Sequence, residues 1–151
     1  MKCRKCPAQA VLKLPRHNTA FCSTHLTDFV REQVERAIKS QKMFNPNDRI
    51  LVAVSGGKDS LALWEILLKL GYQADALYVD QGIGTYSQTS REKVEQFTAL
   101  LAKPCGATLT IHHVEEEDGA SIPDLANLIH RPTCSACGTV KRYQFNRATI
   151  Q

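Results

Sequence analysis

The chain has 151 residues, of which 43% are hydrophobic and 23% are charged, and this composition is that of one ordinary globular domain. No apolar run approaches the roughly 20 residues that a membrane-spanning helix needs, and no apolar stretch with a cleavage site follows the basic N-terminus. Disordered, fibrous and membrane-spanning classes are therefore excluded, and we expect a cytoplasmic protein. In that reducing compartment the six cysteines favour metal binding or catalysis over disulfides.

The formal net charge of +4 is spread unevenly along the chain. Residues 1–49 carry ten Lys and Arg against four Asp and Glu, whereas residues 50–151 carry nine against eleven. A basic front segment suits contact with an anionic polymer such as RNA. A solvated basic helix face explains the charge about equally well, so the charge supports nucleic-acid binding without proving it.

Residues 1–26 lack sustained apolar periodicity and are predicted to form a small knuckle. Two close pairs of metal ligands stand in it, with fifteen residues between the pairs: Cys3, Cys6, Cys22 and His25. This spacing brings four sulfur and nitrogen ligands to one Zn2+ in a tetrahedral, structural site without an open position. The alternative is a set of free surface thiols beside an unrelated histidine, and His17 is the one rival fourth ligand.

The next segment is predicted to be a basic linker helix over residues 27–46, with helical apolar spacing from Leu26 to about Phe44. A turn signal follows at residues 45–48. The near-continuous apolar run over 49–54 is typical of a strand that is buried on both faces, and a parallel sheet is its natural setting.

The rest of the chain alternates helices and strands. After a loop at 55–60 comes a helix that Gly71 ends, and then a strand at 74–80, a helix at about 87–103 and a strand at 107–114. This order predicts an α/β fold with a partial doubly wound parallel sheet, in a nucleotide-binding domain over 47–151. Residues 115–133 read as an acidic segment and then a loop, and a final helix follows Cys134 and Cys137.

The loop between the first sheet strand and its helix has a physical task at every position. It consists of Ser55, Gly56, Gly57, Lys58, Asp59 and Ser60. The glycines allow close backbone approach to a ligand, and the amides and dipole of a helix start attract an anion. The serines add hydroxyl donors, Lys58 adds a positive charge, and Asp59 suits helix capping or Mg2+ binding. The bland alternative is a Gly-Gly turn that merely joins strand to helix.

The loop is neither a Walker loop nor a dinucleotide fingerprint, because both glycine spacings are absent. It resembles the PP-loop of the ATP pyrophosphatases, which cleave ATP between its α and β phosphates and transfer AMP to an oxygen. The resemblance implies that ATP and Mg2+ bind here, with adenosine against the ends of the first two sheet strands. Beyond the loop, the implied ATP-binding residues are Ala53, Val54 and Val79.

Cys134 and Cys137 form a C-x-x-C pair without a second pair nearby. Two thiolates complete neither a tetrahedral site nor an ordinary iron–sulfur cluster. Three readings compete: half of a metal or cluster site completed elsewhere, a redox or sulfur-carrying dithiol, or two structural cysteines at a helix start. Cys105 reads as a small buried residue, and His112 and His113 read as packed or solvent-facing strand residues.

The combination of knuckle, basic helix, PP-loop and a later C-x-x-C-G-x-x-K-R helix resembles the tRNA 2-thiouridine synthetases over essentially the whole chain. The resemblance implies adenylation of the nucleobase carbonyl oxygen, and then attack by sulfur with AMP leaving. It makes Cys134 and Cys137 two of three ligands to a [4Fe-4S] cluster and places Lys141 near the reacting groups. Arg142 either helps to neutralise phosphate or is a helix-surface cation.

The family resemblance also implies partners, namely tRNA and a sulfur donor, which is sulfide or a thiocarboxylated ubiquitin-like carrier protein. The basic knuckle and the first helix would contact the RNA phosphates. A homodimer is plausible because apolar sheet edges seek partners. No membrane partner is expected.

The sequence departs from the family pattern, because the third cluster cysteine, a downstream segment with a catalytic aspartate and a second zinc knuckle would lie beyond Gln151. A fourth strand that pairs with the central first strand would lie there too. We therefore expect an N-terminal portion that binds ATP and zinc, and its turnover alone stays open. The alternatives are an anticodon-loop cytidine thiolase, another PP-loop adenylating enzyme, and a non-catalytic module that binds zinc and ATP.

Overall fold

The computed structural model describes residues 1–150 and forms two compact units, Met1–Asn45 and Pro46–Gln151. The first unit contains an antiparallel hairpin, β1 (Leu12–Leu14) and β2 (Thr19–Phe21), which a single 3-10 turn joins. Helix α1 (Ser23–Gln41) follows directly and lies in this same unit. The core of this unit is small, because its buried centre consists of Cys3, Phe21 and Cys22.

Helix α1 begins four residues before the predicted linker helix of 27–46 and ends five residues before its predicted end. It begins directly after Cys22, whose extended backbone occupies the N-cap position, so that His25 falls in the first turn of the helix. At the other end Lys42 adopts a left-handed conformation with φ of 49°, and its amide bonds back to Ile38 and Lys39. The ligand pair therefore lies at a helix start, which fixes the spacing of its two side chains.

The second unit is an α/β unit, as the sequence predicts. Its strands are β3 (Arg49–Val54), β4 (Gln73–Asp80) and β5 (Leu109–His113), which pair in parallel in the order β3-β4-β5. Its helices are α2 (Lys58–Lys69), α3 (Gly84–Phe97), α4 (Val114–Glu117), α5 (Ile122–Leu128) and α6 (Thr133–Ile150). Within residues 1–150, β3 has a strand partner on one side only, so the first sheet strand lies at an edge here.

The sheet is covered on both faces. On one face Trp64 of α2 is fully buried, stacks against Phe97 with ring centroids 5.3 Å apart, and donates its Nε1 hydrogen to the Ala74 carbonyl at 2.8 Å. On the other face Leu77 and Val79 of β4 pack with residues of α5 and α6. Because side chains alternate along a strand, β4 contributes to both layers. The sheet therefore lies between two helical layers, one packed on each of its faces.

Two sequence expectations in this unit were wrong in detail. Residues 115–133 are not simply loop-like, because they contain α4 and α5. The start of α5 carries a capping signal that we did not recognise, since Ser121 accepts a 3.3 Å hydrogen bond from the Asp124 amide and Pro123 stands in the first turn. The predicted helix at 87–103 begins earlier, at Gly84, and turns into a wider π turn over Thr98–Ala102.

No helix among residues 1–150 is both long enough and apolar enough to cross a lipid bilayer.

Substitution of Ser121 tests the cap of α5. We expect Ser121→Ala to lower the unfolding free energy of the second unit by about 1 kcal/mol, because an orphan helix amide loses its acceptor. The single tryptophan, Trp64, is fully buried in this unit, so its fluorescence in urea reports the transition. Thr149→Ala is the control and should change stability by less than about 0.5 kcal/mol. Equal effects of the two substitutions would contradict the capping role.

Candidate functional site

Four metal ligands converge in the first unit. The ligand atoms of Cys3, Cys6, Cys22 and His25 all lie within 4.8 Å of one another. The Cys6 and Cys22 sulfurs are 3.8 Å apart, and His25 Nδ1 lies 3.5 Å from the Cys3 sulfur and 3.3 Å from the Cys22 sulfur. The hairpin and the start of α1 thus hold a compact set of three sulfur donors and one nitrogen donor, which suits a metal ion.

The electrostatics of the cysteines fit a metal site. Burial raises the pKa of the Cys3 thiol, but hydrogen bonds from the Cys22 and Lys5 backbones lower it more, so that it falls from 9.0 to about 6. For Cys6, a hydrogen bond from the Ala8 backbone lowers the pKa, but burial and the neighbouring sulfurs together raise it above 9.0. The pKa values of Cys3 and Cys6 thus shift in opposite directions, so that one thiolate disfavours the other. A bound metal ion would offset this repulsion between neighbouring thiolates.

The PP-loop follows β3 and folds on itself. Ser60 Oγ accepts the Ser55 amide at 3.1 Å, lies 3.2 Å from Ser55 Oγ and donates to the Gly57 carbonyl at 3.0 Å. Gly57 is the N-cap residue of α2 and has no side chain to satisfy the first-turn amides. Lys58 and Asp59 form a 3.0 Å ion pair with side chains 89% and 91% exposed, so Asp59 does not cap the helix. The loop offers amides, hydroxyls and an ammonium to an anion, and ATP with Mg2+ fits this donor set.

Gly56 brings the PP-loop against helix α3. Its φ of +73° is in the left-handed region, and a Cβ added there would lie 2.6 Å from the carbonyl oxygen of Ser90. Helix α3 is itself fixed to the sheet, because the Tyr78 hydroxyl donates to the Ser87 carbonyl at 3.1 Å. Burial, with a smaller effect of Asp80, raises the pKa of Tyr78 to about 12, so the phenol keeps its proton. Glycine at 56 is therefore required by packing as well as by its positive φ.

The cysteines of α6 lie at the same edge of the sheet as the PP-loop. Cys137 donates its thiol hydrogen to the Gln81 side-chain oxygen at 3.1 Å, and Gln81 directly follows the last residue of β4. The PP-loop directly follows β3, which is parallel to β4. Parallel strands have their carboxyl ends at one edge, which is where ligands bind in open α/β sheets. Sequence reasoning missed Gln81, although its position after a strand end was a signal.

Helix α6 presents the predicted residues along one face. Cys134, Cys137 and Lys141 are three and four residues apart, which places them on one side of a helix. Cys134 is exposed and Cys137 is half-buried, so the pair is open to a ligand. Arg142 folds back along the helix, with its guanidinium about 3.5 Å from the position of a Cβ at Gly138. Arg142 is thus a cation that lies on the helix surface.

A buried polar network fixes α6 to β5. His112 is 8% exposed, and its two ring nitrogens lie 3.1 Å from a Glu117 carboxylate oxygen and 2.9 Å from an Asp118 oxygen. Asp118 also accepts two hydrogen bonds from the Gln144 amide, at 3.2 and 3.0 Å. His112 is therefore a packed histidine, and this network gives α6 a second attachment besides Cys137.

A polar cavity of about 290 Å³ lies beside the PP-loop edge. Asp80, the last residue of β4, bonds there to Arg91 at 3.2 Å and lies 3.7 Å from His113.

Cys105 is elsewhere, because it lines a groove with Arg49 and Gln73 at the opposite ends of the strands. It is exposed rather than buried, which corrects the sequence expectation. His17 does not join the metal ligands but meets the Phe29 ring at 5.3 Å.

Comparison with family models matches both units. Residues 26–131 match the model described as the PP-loop domain, and residues 2–27 match the N-terminal LIM domain of the 2-thiouridine synthetase TtuA. The chain belongs to the PP-loop family. The match to the first unit covers all four metal ligands, so the resemblance to tRNA 2-thiouridine synthetases is confirmed.

Curated relatives carry sulfurtransferase names. The tRNA-5-methyluridine(54) 2-sulfurtransferase of Thermus thermophilus is 42% identical over 151 residues, which cover 100% of this chain and 46% of that protein. Its namesake in Thermotoga maritima is 41% identical, over 97% of this chain and 47% of that protein. The cytoplasmic tRNA 2-thiolation protein 1 of Drosophila pseudoobscura is 30% identical over 95% and 43%. The chain spans about half the length of these relatives.

A solved structure shows the same fold. The U34-tRNA thiolase NcsA from Methanococcus maripaludis, which was solved with its [4Fe-4S] cluster, matches with a TM-score of 0.78 and 24% sequence identity. The match covers 99% of this chain and 50% of that chain. This confirms the predicted α/β fold of the PP-loop family.

Two glycine substitutions separate packing from backbone strain. Gly56→Ala and Gly71→Ala both place alanine at positive φ, +73° and +84°, at a cost of about 1 to 2 kcal/mol each. A Cβ at Gly71 has no neighbour within 4 Å, whereas at Gly56 it meets Ser90. We expect Gly56→Ala to be the more destabilising in urea, measured by Trp64 fluorescence, and to weaken ATP binding at least tenfold. Equal losses in both variants would show that the contact with Ser90 is unimportant.

Proposed function

We propose that this protein takes part in ATP-dependent thiolation of a tRNA uridine at its C2 position. The observation that carries the proposal is the hydrogen bond between Cys137 and Gln81, because it lies at the carboxyl end of β4. The C-x-x-C helix and the PP-loop thus meet one edge of the parallel sheet. Support also comes from the relatives, two of which are named tRNA-5-methyluridine(54) 2-sulfurtransferase.

In the proposed first step the PP-loop binds the phosphates of ATP. The amides of the first turn of α2 and the serine hydroxyls hold the β and γ phosphates, and Lys58 offsets their charge. Asp59 binds Mg2+ through its carboxylate. The adenosine lies against the exposed Ala53 at the end of β3, and it meets only the backbones of Val54 and Val79, because both side chains are buried. The uridine carbonyl oxygen then attacks the α phosphate, and pyrophosphate leaves.

In the proposed second step sulfur replaces the activated oxygen. Adenylation matters because a carbonyl oxygen is a poor leaving group, whereas AMP is a good one. Cys134 and Cys137 are proposed as two ligands of a [4Fe-4S] cluster, which when bound would carry the incoming sulfur that the donor provides. The exposure of Cys134 and the i, i+3 spacing of the pair fit such ligands, although two thiolates are fewer than a cluster needs. Lys141 lies one turn beyond Cys137, and its ammonium offsets the negative charge of the phosphate groups near the reacting base.

The metal of the first unit is proposed to be zinc. A Zn2+ ion with sulfur ligands at about 2.3 Å forms a tetrahedron with edges of about 3.8 Å, and a sulfur–nitrogen edge is about 3.5 Å. The distances of 3.8, 3.5 and 3.3 Å between ligand atoms agree with these edges. Four protein ligands leave no open position, so the role is structural. The metal replaces the core that this small unit lacks.

The proposed target nucleotide is 5-methyluridine 54. The two bacterial relatives named for this nucleotide are 41–42% identical, whereas the Drosophila tRNA 2-thiolation protein is 30% identical. The cytoplasmic location of this protein, its sulfur donor (sulfide or a thiocarboxylated ubiquitin-like carrier protein) and a homodimer stay predictions.

An anaerobic assay tests the reaction. The protein, at the full length its gene encodes, is incubated with ATP, sulfide and unthiolated tRNA that carries 5-methyluridine at position 54, and the digested nucleosides are identified by mass spectrometry. We expect 5-methyl-2-thiouridine, whereas 2-thiouridine would move the target to an unmethylated uridine.

We expect Lys58→Ala to weaken ATP binding at least tenfold, while Lys69→Ala, at the other end of α2, leaves it unchanged. ATP binding without a thiolated nucleoside in any tRNA contradicts the proposal.

Metal analysis tests the zinc site separately. We expect the first unit to hold one zinc, so that Cys22→Ser lowers the zinc content by one equivalent per chain and unfolds this unit, because zinc binding is coupled to folding. Cys105→Ser changes an exposed cysteine outside the site and should keep the zinc. Elemental analysis with circular dichroism, before and after chelator, measures both effects. An unchanged zinc content in Cys22→Ser, or iron at this site, is incompatible with the assignment.

A further inference from the structure

The surface of the knuckle is basic and free of carboxylates. Residues 1–27 contain five Lys and Arg and no Asp or Glu, and all five cations are exposed. Lys5 forms a 3.1 Å ion pair with Glu32 of α1. In the described part of the chain, the other four form no ion pair within 4.0 Å, and we call them the knuckle cations: Lys2, Arg4, Lys13 and Arg16. Their charge is therefore available to an external anion.

The backbone holds two of these cations at a fixed spacing. Lys13 of β1 stands opposite Ala20 of β2, and the Arg4 amide donates to the Ala20 carbonyl at 2.9 Å. Strand β2 thus lies between the segments that carry Arg4 and Lys13, so their backbones are about 10 Å apart, two strand spacings. Lys13 lies on one face of the hairpin, and Phe21 lies on the other face, where it packs with the metal ligands. The metal site therefore supports the hairpin on the face opposite Lys13.

Helix α1 differs from the knuckle. It carries three Lys and Arg and three Asp and Glu, so its net charge is zero. Two of its cations are paired on the helix itself, Arg31 with Asp28 and Lys39 with Glu35, both at 2.5 Å. The sequence predicts that the knuckle and the first helix both contact RNA phosphates. Because α1 has no net charge whereas the knuckle carries only cations, we expect the knuckle alone to be the cationic surface.

We propose that the knuckle cations bind the sugar–phosphate backbone of the folded RNA substrate. The inference rests on the proposed function for the identity of that RNA. Phe21 is 3% exposed and is closed to base stacking, whereas the exposed His17 ring makes an edge contact with Phe29. Contacts to phosphate position an RNA without reading its bases. The knuckle therefore places the substrate, and selection of the uridine belongs to the second unit.

The expected salt dependence follows from the number of contacts. Four cations that each displace about one counterion give a slope of log affinity against log salt of about −3 to −4. Affinity should then fall about 50- to 150-fold between 50 and 200 mM salt. Removal of three cations leaves about one contact, for which the same change in salt costs about threefold.

The test compares two triple variants with the same change of charge. Arg4→Gln, Lys13→Gln and Arg16→Gln alter the knuckle, whereas Lys69→Gln, Lys93→Gln and Lys103→Gln alter exposed lysines of the second unit. Binding of a labelled unmodified tRNA transcript is measured by fluorescence anisotropy at 50, 100 and 200 mM KCl. Metal content, thermal unfolding and ATP affinity are measured on the same preparations, so that misfolding is recognised.

We expect the knuckle variant to bind tRNA at least tenfold more weakly at 50 mM KCl and to lose most of its salt dependence, while the control variant and ATP binding stay as in the parent. Equal tRNA affinity in both variants overturns the inference and leaves the proposed function intact. No tRNA binding by the parent, with normal ATP binding, overturns both. Binding of anionic vesicles in preference to tRNA would make the knuckle a membrane surface and would also overturn the inference.

Discussion

The close approach of Gly56 to Ser90 determines how the PP-loop is held. With φ at +73° and no side chain, Gly56 lets the loop lie directly on helix α3, where a Cβ would come within 2.6 Å of a carbonyl oxygen. Helix α3 is fixed in turn by the Tyr78 hydroxyl, which bonds to the Ser87 carbonyl. The loop, α3 and the end of β4 are therefore one packed assembly. Such a loop presents its amides in a fixed geometry, which lowers the reorganisation needed to bind a phosphate.

Helix α6 reaches the same edge of the sheet through polar contacts. Cys137 bonds to Gln81, and Gln144 bonds to Asp118, which also meets the buried His112. Apolar packing of Ala136, next to Cys137, and of Val140, between the two points, completes the attachment. Because β3 and β4 are parallel, two loops that are distant in sequence lie at neighbouring strand ends. The catalytic proposal depends on this topology more than on any single residue.

The two units reach stability by different means. The second unit buries apolar side chains on both faces of a sheet, including the fully buried Trp64, Ile122, Val94 and Val114. The first unit has a small core that includes Cys3 and Cys22, so its ligands and its core largely coincide. The metal ion that we propose for this site would then supply the free energy that a larger core provides. This leaves the exposed side of the knuckle free for charge, which its sequence fills with cations alone.

The sequence by itself determined the elements whose signals are local. The apolar run of β3, the glycine loop before α2 and the spacing of the four metal ligands depend on residues near one another, and all were readable in advance. The helix α5 was missed because it is only seven residues long and its cap at Ser121 follows an acidic segment. Only the tertiary structure decided that Gly56 needs Ser90, that Gln81 meets Cys137, and that His112 meets Asp118 and Glu117. These are contacts between distant segments or a matter of side-chain geometry, and sequence periodicity does not encode them.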